Sequence, residues 1–86
     1  MWIVDIAFTA APERLAARPA HRERLTALHA TGVVRMAGPL ADDSGAVIVL
    51  EVSGRAAVDG FLAADPYFRM PGVEVRGVRE WRPFLR

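Results

Sequence analysis

The stretch that decides the fold lies in the middle of the chain and reads Ala46-Val47-Ile48-Val49-Leu50-Glu51-Val52. Its apolar, largely β-branched composition is typical of a strand. Successive side chains of a strand point to opposite faces of its sheet, so Val47 and Val49 must lie opposite Ile48 and Leu50. Both faces of this strand therefore carry apolar side chains.

The residues that open the chain predict a strand followed by a helix. The segment from Trp2 to Phe8 alternates with period two, which indicates a strand whose first face carries Trp2, Val4, Ile6 and Phe8. Pro19 suits the first position of a helix that runs to about Thr31, and Gly32 suits the position just beyond its end. We expect residues 11–17 to form a separate, short helical lead-in.

Two further strands and a second helix complete the pattern. Val33 to Ala37 is expected to be the second strand, immediately before the turn that leads into the central stretch. The second helix is expected over about Arg55 to Ala64, from the buried stripe that its apolar residues make. Val73 to about Arg82 fits the last strand, and Gly77 marks a bulge where its alternation slips.

The element order is therefore β-α-β-β-α-β, which predicts one ferredoxin-like α+β domain over residues 1–86. Such a domain has a four-stranded antiparallel sheet with both helices on one face. The opposite face has no helix to cover it, yet Val47, Val49, Ile3 and Ala7 are apolar. Because an exposed apolar face is typical of an interaction surface, we expect a homodimer formed sheet against sheet. The alternative is that these are ordinary, scattered surface residues.

Composition excludes several classes of protein. The net charge is +1 and the eleven basic residues, all arginines, are spread along the chain, which gives no electrostatic case for nucleic acid. The longest apolar run, Ala46 to Leu50, falls far short of the roughly 20 residues that a membrane helix needs. The N-terminus has no basic segment and carries Asp5 where a signal peptide would be apolar. The chain has no cysteine, so a cytoplasmic location is expected.

One histidine and one aspartate are the candidates for chemistry. His21 falls on the inward stripe of the first helix with Leu25 and Leu28. Near a helix start the dipole disfavours imidazolium, so a neutral ring is expected to serve as a general base. Asp65 ends the second helix because Pro66 forces it out of helical geometry, and its carboxylate could hold the ring N–H. The alternatives are a structural histidine on an apolar helix face and a common Asp-Pro helix stop.

Other kinds of site are not expected. A metal needs about three converging ligands, and His21, His29 and Asp65 are the only plausible set. The two histidines are eight residues apart, which is too far for chelation from one helix face, so no metal is expected. The chain has no glycine-rich phosphate loop and no dinucleotide fingerprint, so no cofactor is expected. No nucleophile is evident, which favours proton transfer over covalent catalysis.

Three short motifs in order resemble the YCII-related (YciI-like) family. They are Arg18-Pro19-Ala20-His21, then Ala37-Gly38-Pro39-Leu40, then Ala64-Asp65-Pro66-Tyr67. The resemblance covers nearly the whole chain, including the valine-rich third strand and the closing Trp81-Arg82-Pro83. The family is similar in fold to muconolactone isomerase, so the resemblance implies a dimeric α/β barrel made of two ferredoxin-like subunits.

The resemblance also implies a site and a kind of reaction. His21 and Asp65 match the family's proposed active-site pair, and Gly38 and Pro39 match the strand end beside that pocket. Arg18 and Tyr67 are expected to contact the substrate, although Arg18 could lie in solvent and Tyr67 in the core. One characterised type removes chloride from a chlorinated hydroxyhydroquinone. The connection Asp42 to Gly45 is shorter than in some members, so the substrate class is not carried over.

Three functions remain open at this point. The first is a small-molecule enzyme of the isomerase, lyase or dehydrochlorinase type that acts on a cyclic or aromatic-derived metabolite through the His21–Asp65 pair. The second is a non-catalytic module that has kept the pocket and binds a ligand. The third is a dimerisation domain whose pocket is incidental.

Overall fold

A computed structural model describes residues 1–86, and its elements follow the expected order. The strands are Trp2–Phe8 (β1), Val34–Pro39 (β2), Gly45–Leu50 (β3) and Val73–Glu80 (β4), the helices are Pro12–Ala30 (α1) and Arg55–Ala63 (α2), and a 3₁₀ turn spans Pro66–Arg69. The sheet order is β2-β3-β1-β4, and each neighbouring pair is antiparallel. This topology confirms the ferredoxin-like α+β fold. Neither helix is both long and apolar enough to cross a membrane.

The core lies between one face of the sheet and the two helices. Val4 and Ile6 of β1 are buried there, as the alternation of β1 predicts, together with Ile48, which pairs with Val4, and Leu50 of β3. The remaining core residues are Val34, Val58, Phe61, Tyr67 and Phe68. The 3₁₀ turn therefore contributes two aromatic side chains to the core, which was one of the alternatives open for Tyr67.

Helix α1 corrects the sequence-based expectation of a break at Pro19. It is one continuous helix from Pro12, with Pro19 in its interior. Proline has no N–H, so the carbonyl of Leu15 loses its partner in the helix. Leu15 and Pro19 are both exposed, so this carbonyl lies on the solvent side of the helix. Water can satisfy it there, which explains why the helix continues.

The predicted helix ends and the bulge at Gly77 are confirmed, whereas β2 continues through Gly38 to Pro39 and β4 ends at Glu80 rather than at about Arg82. Gly32 follows α1 with φ of +88°, and the Val33 N–H donates to the Leu28 carbonyl at 3.0 Å. Asp65 is extended at the end of the second helix. The register of β1 against β4 shifts beside Gly77, which leaves Arg76 as the extra residue of a bulge.

Gly45 lies where β3 runs closest to β1. A Cβ on Gly45 would lie 3.2 Å from the carbonyl carbon of Ile6 and nearer still to its oxygen. We expect Gly45→Ala to push the two central strands apart and to lower the free energy of unfolding by about 1–3 kcal/mol. For a domain of this size, each kcal/mol corresponds to a fall of about 4–8 °C in melting temperature.

Gly38→Ala is the matched control for this substitution. Gly38 is also a strand glycine without positive φ, and a Cβ there would meet nothing within 4 Å. Its melting temperature should equal or slightly exceed that of the wild type, because alanine restricts the unfolded chain. Equal melting temperatures for the two variants would contradict the close approach at Gly45.

Candidate active site

His21 and Asp65, which are 44 residues apart in sequence, meet in the interior. Nδ1 of His21 lies 2.6 Å from Oδ2 of Asp65. Both residues are buried, with 7% and 4% of their surface exposed. The histidine projects from α1, and the aspartate lies in the extended link between α2 and the 3₁₀ turn. The contact therefore joins the first helix to the segment that follows the second.

Asp65 follows the end of the second helix and also binds His21, so it has both of the roles considered from the sequence. Its Oδ1 accepts the Tyr67 backbone N–H at 3.0 Å, which caps the 3₁₀ turn. Its Oδ2 accepts from Arg24 at 3.2 Å as well as from His21. Arg24 also donates to the Phe61 carbonyl at 3.0 Å, so it ties the carboxylate to the end of α2. Every one of these contacts fixes the position of Asp65.

The imidazole ring of His21 is held between two aromatic rings. It stacks on Tyr67 with 3.8 Å between ring centroids and 10° between ring planes. The ring of Phe68 meets it edge-on at 5.3 Å. Together with the hydrogen bond to Asp65, these contacts leave the histidine a single orientation.

Burial holds the pKa of His21 below its usual 6.5, because it removes water from the charged form of the ring. The hydrogen bond and charge of Asp65 act in the opposite direction, and the charges of Arg24 and Arg22 lower the pKa further. The expectation of a neutral ring therefore agrees with the structure, but its stated cause was wrong. His21 lies nine residues after Pro12, beyond the reach of the dipole at the helix start.

Near neutral pH the pair consists of a neutral imidazole and a carboxylate. Burial raises the pKa of Asp65, but the hydrogen bonds from His21 and Tyr67 and the nearby charges outweigh it and leave the pKa below 3.8. The carboxylate accepts the Nδ1–H, which leaves the lone pair of the ring on Nε2. This Nε2 has no hydrogen bond within the chain and is not sealed from solvent.

A cavity of about 560 Å³ opens between α1 and the sheet, beside His21. The structure brings most of the candidate site residues to this cavity. Its lining includes His21, Arg18, Gly38, Pro39 and Tyr67, whereas Asp65 lies behind the histidine and does not line it. These residues therefore lie together around one cavity, and their role in binding a substrate stays a prediction.

Several arginines of the site were missed in the sequence. Arg14, Arg22 and Arg35 line the cavity, and Arg24 binds Asp65. Arg14 lies seven residues before His21, which is close to two helical turns, so both share one face of α1. The expected helix break at Pro19 concealed this spacing. The chain has no group of three or more histidine, cysteine, aspartate or glutamate side chains that could hold a metal.

The charges around His21 predict opposite shifts in its pKa for two substitutions. Asp65→Asn should lower the pKa of His21 further, since it removes the charge that favours imidazolium, and Arg24→Met should raise it. An NMR titration of the imidazole ring measures both shifts. Asp59→Asn is the control, because Asp59 lies exposed on α2 and pairs with Arg55. Shifts of the same sign in the first two variants would contradict the arrangement.

The lowered pKa of His21 also predicts how stability depends on pH. Below about pH 6.5 the unfolded chain binds a proton that the folded chain does not, so stability should fall as the pH falls toward the folded pKa. Urea unfolding at several pH values measures this loss. His21→Gln should have a shallower dependence between about pH 6.5 and 5, and an equally steep one would show that His21 does not titrate as described.

Comparison with protein families gives one match that covers almost all of this structure. The family model of the YCII-related domain matches residues 1–82, which include both helices and all four strands. A search of curated proteins found no match. The matched segment contains His21, Asp65 and the residues that line the cavity. The chain therefore belongs to the YCII-related domain family.

Proposed function

We propose that this protein is a small-molecule enzyme in which Nε2 of His21 takes a proton from a substrate bound in the cavity. One observation carries the proposal: the same histidine contacts a buried carboxylate on one side and lines the cavity on the other. A histidine that served only the fold would not need a ring nitrogen that faces a cavity without a hydrogen-bond partner. A general base requires one.

The pair supports proton transfer in both directions. When Nε2 takes a proton, the ring becomes an imidazolium, and Asp65 at 2.6 Å stabilises that charge while holding Nδ1–H in place. If the substrate regains the proton at another carbon, the reaction is an isomerisation. If the freed electron pair forms a double bond and expels an anion such as chloride, the reaction is an elimination. In either case His21 must return its proton before the next turnover.

The neighbouring hydroxyl groups support this choice over covalent catalysis. The Thr26 hydroxyl, on the cavity wall, donates to the Arg22 carbonyl at 2.8 Å. The Ser44 hydroxyl donates to Asp42 at 2.6 Å. Neither makes a hydrogen bond with His21, and the chain has no cysteine. A histidine that activates no nucleophile is suited to acting on the substrate directly.

The test is a screen for turnover followed by substitution of the pair. Hydroxylated and chlorinated aromatics and lactones are incubated with the protein, and NMR detects a product or solvent deuterium at a substrate carbon. We expect His21→Gln to lower kcat by about 10²–10⁴-fold, the usual contribution of a general base. Asp65→Asn should also lower kcat, because it removes the negative charge that stabilises the imidazolium, while Asp59→Asn should retain wild-type activity.

Binding without turnover would favour the alternative of a non-catalytic ligand-binding module. A bound compound stabilises the folded chain by about 2.7 kcal/mol at 100 times its Kd, which a thermal-shift assay detects. If such a compound is found and neither product nor deuterium exchange follows, the catalytic proposal is wrong. A ligand whose stabilising effect survives in His21→Gln would place its site away from the histidine.

We also propose that two copies of the chain pair through the open face of the sheet. Ile3 pairs with Val49 and Asp5 with Val47 across β1 and β3, and the alternation places all four on the face away from the helices. Of the apolar members, Ile3 and Val47 are partly exposed, whereas Val49 is already buried within the subunit. Arg79 binds Asp5 at 2.7 Å on the same face. A face that carries apolar residues and both charges can be complementary to itself across a two-fold axis.

The oligomeric state tests this second proposal. Sedimentation or light scattering at micromolar concentration should give the mass of a dimer. Val47→Glu should give a monomer, because it places a charge within the apolar part of the face. Ala56→Glu adds the same charge at an exposed position of α2 and should remain dimeric. A wild-type monomer would contradict the proposal.

A further inference from the structure

Arg14 is a buried cation without an adequate partner. Only 7% of its surface is exposed, and its guanidinium makes no hydrogen bond within the chain. Its Nε is sealed from solvent and unpaired, whereas its terminal nitrogens are not sealed. The nearest carboxylate oxygen, on Asp43, lies 3.9 Å from one terminal nitrogen, beyond hydrogen-bond distance, and belongs to a largely exposed side chain. The guanidinium carbon also lies over the ring of Phe8, 4.0 Å from its centroid.

This arrangement is unfavourable for the empty protein. A buried charge is normally paired and hydrogen-bonded, since removing it from water costs free energy that only such contacts recover. The stacking on Phe8 offsets part of that cost. The planar donors of the guanidinium remain unused, and they match the two oxygens of a carboxylate. Arg14 lines the cavity, so a ligand there can supply those oxygens.

Most of the other charged side chains that line the cavity are also positive. Three other arginines line it (Arg18, Arg22 and Arg35), and Asp43 is the one acidic residue of the lining. The whole chain carries a net charge of only +1, so positive charge is concentrated at this cavity. A concave site lined by one sign of charge attracts ligands of the opposite sign.

The remaining lining is apolar and limits what the anion can be. Ile6, Phe8, Leu25, Ile48 and Tyr67 contribute apolar surface to the same cavity. An inorganic anion has no apolar surface to bury against these side chains, whereas an aromatic or alicyclic acid has. Arg14 and His21 project from the same helix about 10 Å apart along its axis. A small organic acid can therefore be held at one end by Arg14 while its body reaches the histidine.

We infer that the cavity takes a small organic carboxylate with an apolar ring, and that Arg14 is the residue that binds its carboxylate. This inference rests on the proposed function only for the location of the site, since anion binding at Arg14 does not require turnover. Asp43 then acts as a weak, displaceable partner of Arg14 in the empty protein. The other arginines draw the anion in and balance its charge.

Calorimetric titration with benzoate, benzamide and inorganic phosphate tests this inference. Benzamide has nearly the shape of benzoate without its charge, and phosphate has the charge without the apolar ring. The wild type should bind benzoate at least about tenfold more tightly than either, the effect of one charge-assisted contact. Equal binding of benzoate and benzamide, no binding of benzoate at millimolar concentration, or tighter binding of phosphate would each overturn the inference.

Arg14→Met identifies the residue responsible. It keeps an unbranched apolar stem and removes the guanidinium with its charge, so the preference for benzoate over benzamide should disappear. Arg55→Met is the matched control, because Arg55 is a helical arginine that is exposed and paired with Asp59 outside the cavity. An unchanged preference in Arg14→Met would exclude Arg14 as the binding residue.

The stability of Arg14→Met separates binding from a structural role. Removal of an unpaired buried charge should leave the melting temperature equal to or above that of the wild type. A marked fall would show that Arg14 serves the fold. Loss of turnover in His21→Gln tests proton transfer, and loss of the preference for benzoate in Arg14→Met tests anion binding, so the two failures are distinguished by different variants.

Discussion

The hydrogen bond between His21 and Asp65 is the contact on which the site depends. It crosses the interior from the first helix to the link that follows the second, and it fixes the ring nitrogen that faces the cavity. The carboxylate is itself fixed by Arg24 and by the backbone of Tyr67. Because each partner is held by further contacts, the pair is preorganised, which is what the proposed proton transfer requires.

Two opposing effects decide the charge state of this pair. Burial disfavours imidazolium, and the neighbouring carboxylate favours it. Burial prevails, with help from the positive charges of Arg24 and Arg22. The carboxylate stays ionised because its hydrogen bonds outweigh its own burial. The resulting neutral imidazole can accept a proton, and the adjacent carboxylate stabilises the charge that then forms.

The cavity adds a second conflict, between stability and binding. An empty site that contains an unpaired buried guanidinium is less stable than one lined by apolar side chains. Arg14 is nevertheless placed there, stacked on Phe8 and without a hydrogen bond. Functional sites commonly contain residues that destabilise the ligand-free protein, because the same residues are needed for binding.

How far the site could be predicted depended on the continuity of one helix. Helical periodicity correctly predicts that His21 lies on the inward face, because three or four residues suffice to define a face of a helix. Arg14 lies on the same face, but Pro19 predicted a boundary between them. The helix continues because Leu15 and Pro19 lie on the solvent side, and which side faces solvent is decided by packing against the sheet.

The order of the elements, the antiparallel sheet and the inward direction of His21 could all be predicted from the sequence alone. These follow from periodicity, prolines and glycines, which act within a few residues. The pairing of Asp65 with His21 was open in the sequence and depends on the packing, as do the contact of Arg24 with Asp65 and the burial of Arg14 without a hydrogen bond. Those facts depend on which distant segments exclude water from one another, and hence on contacts between residues far apart along the chain.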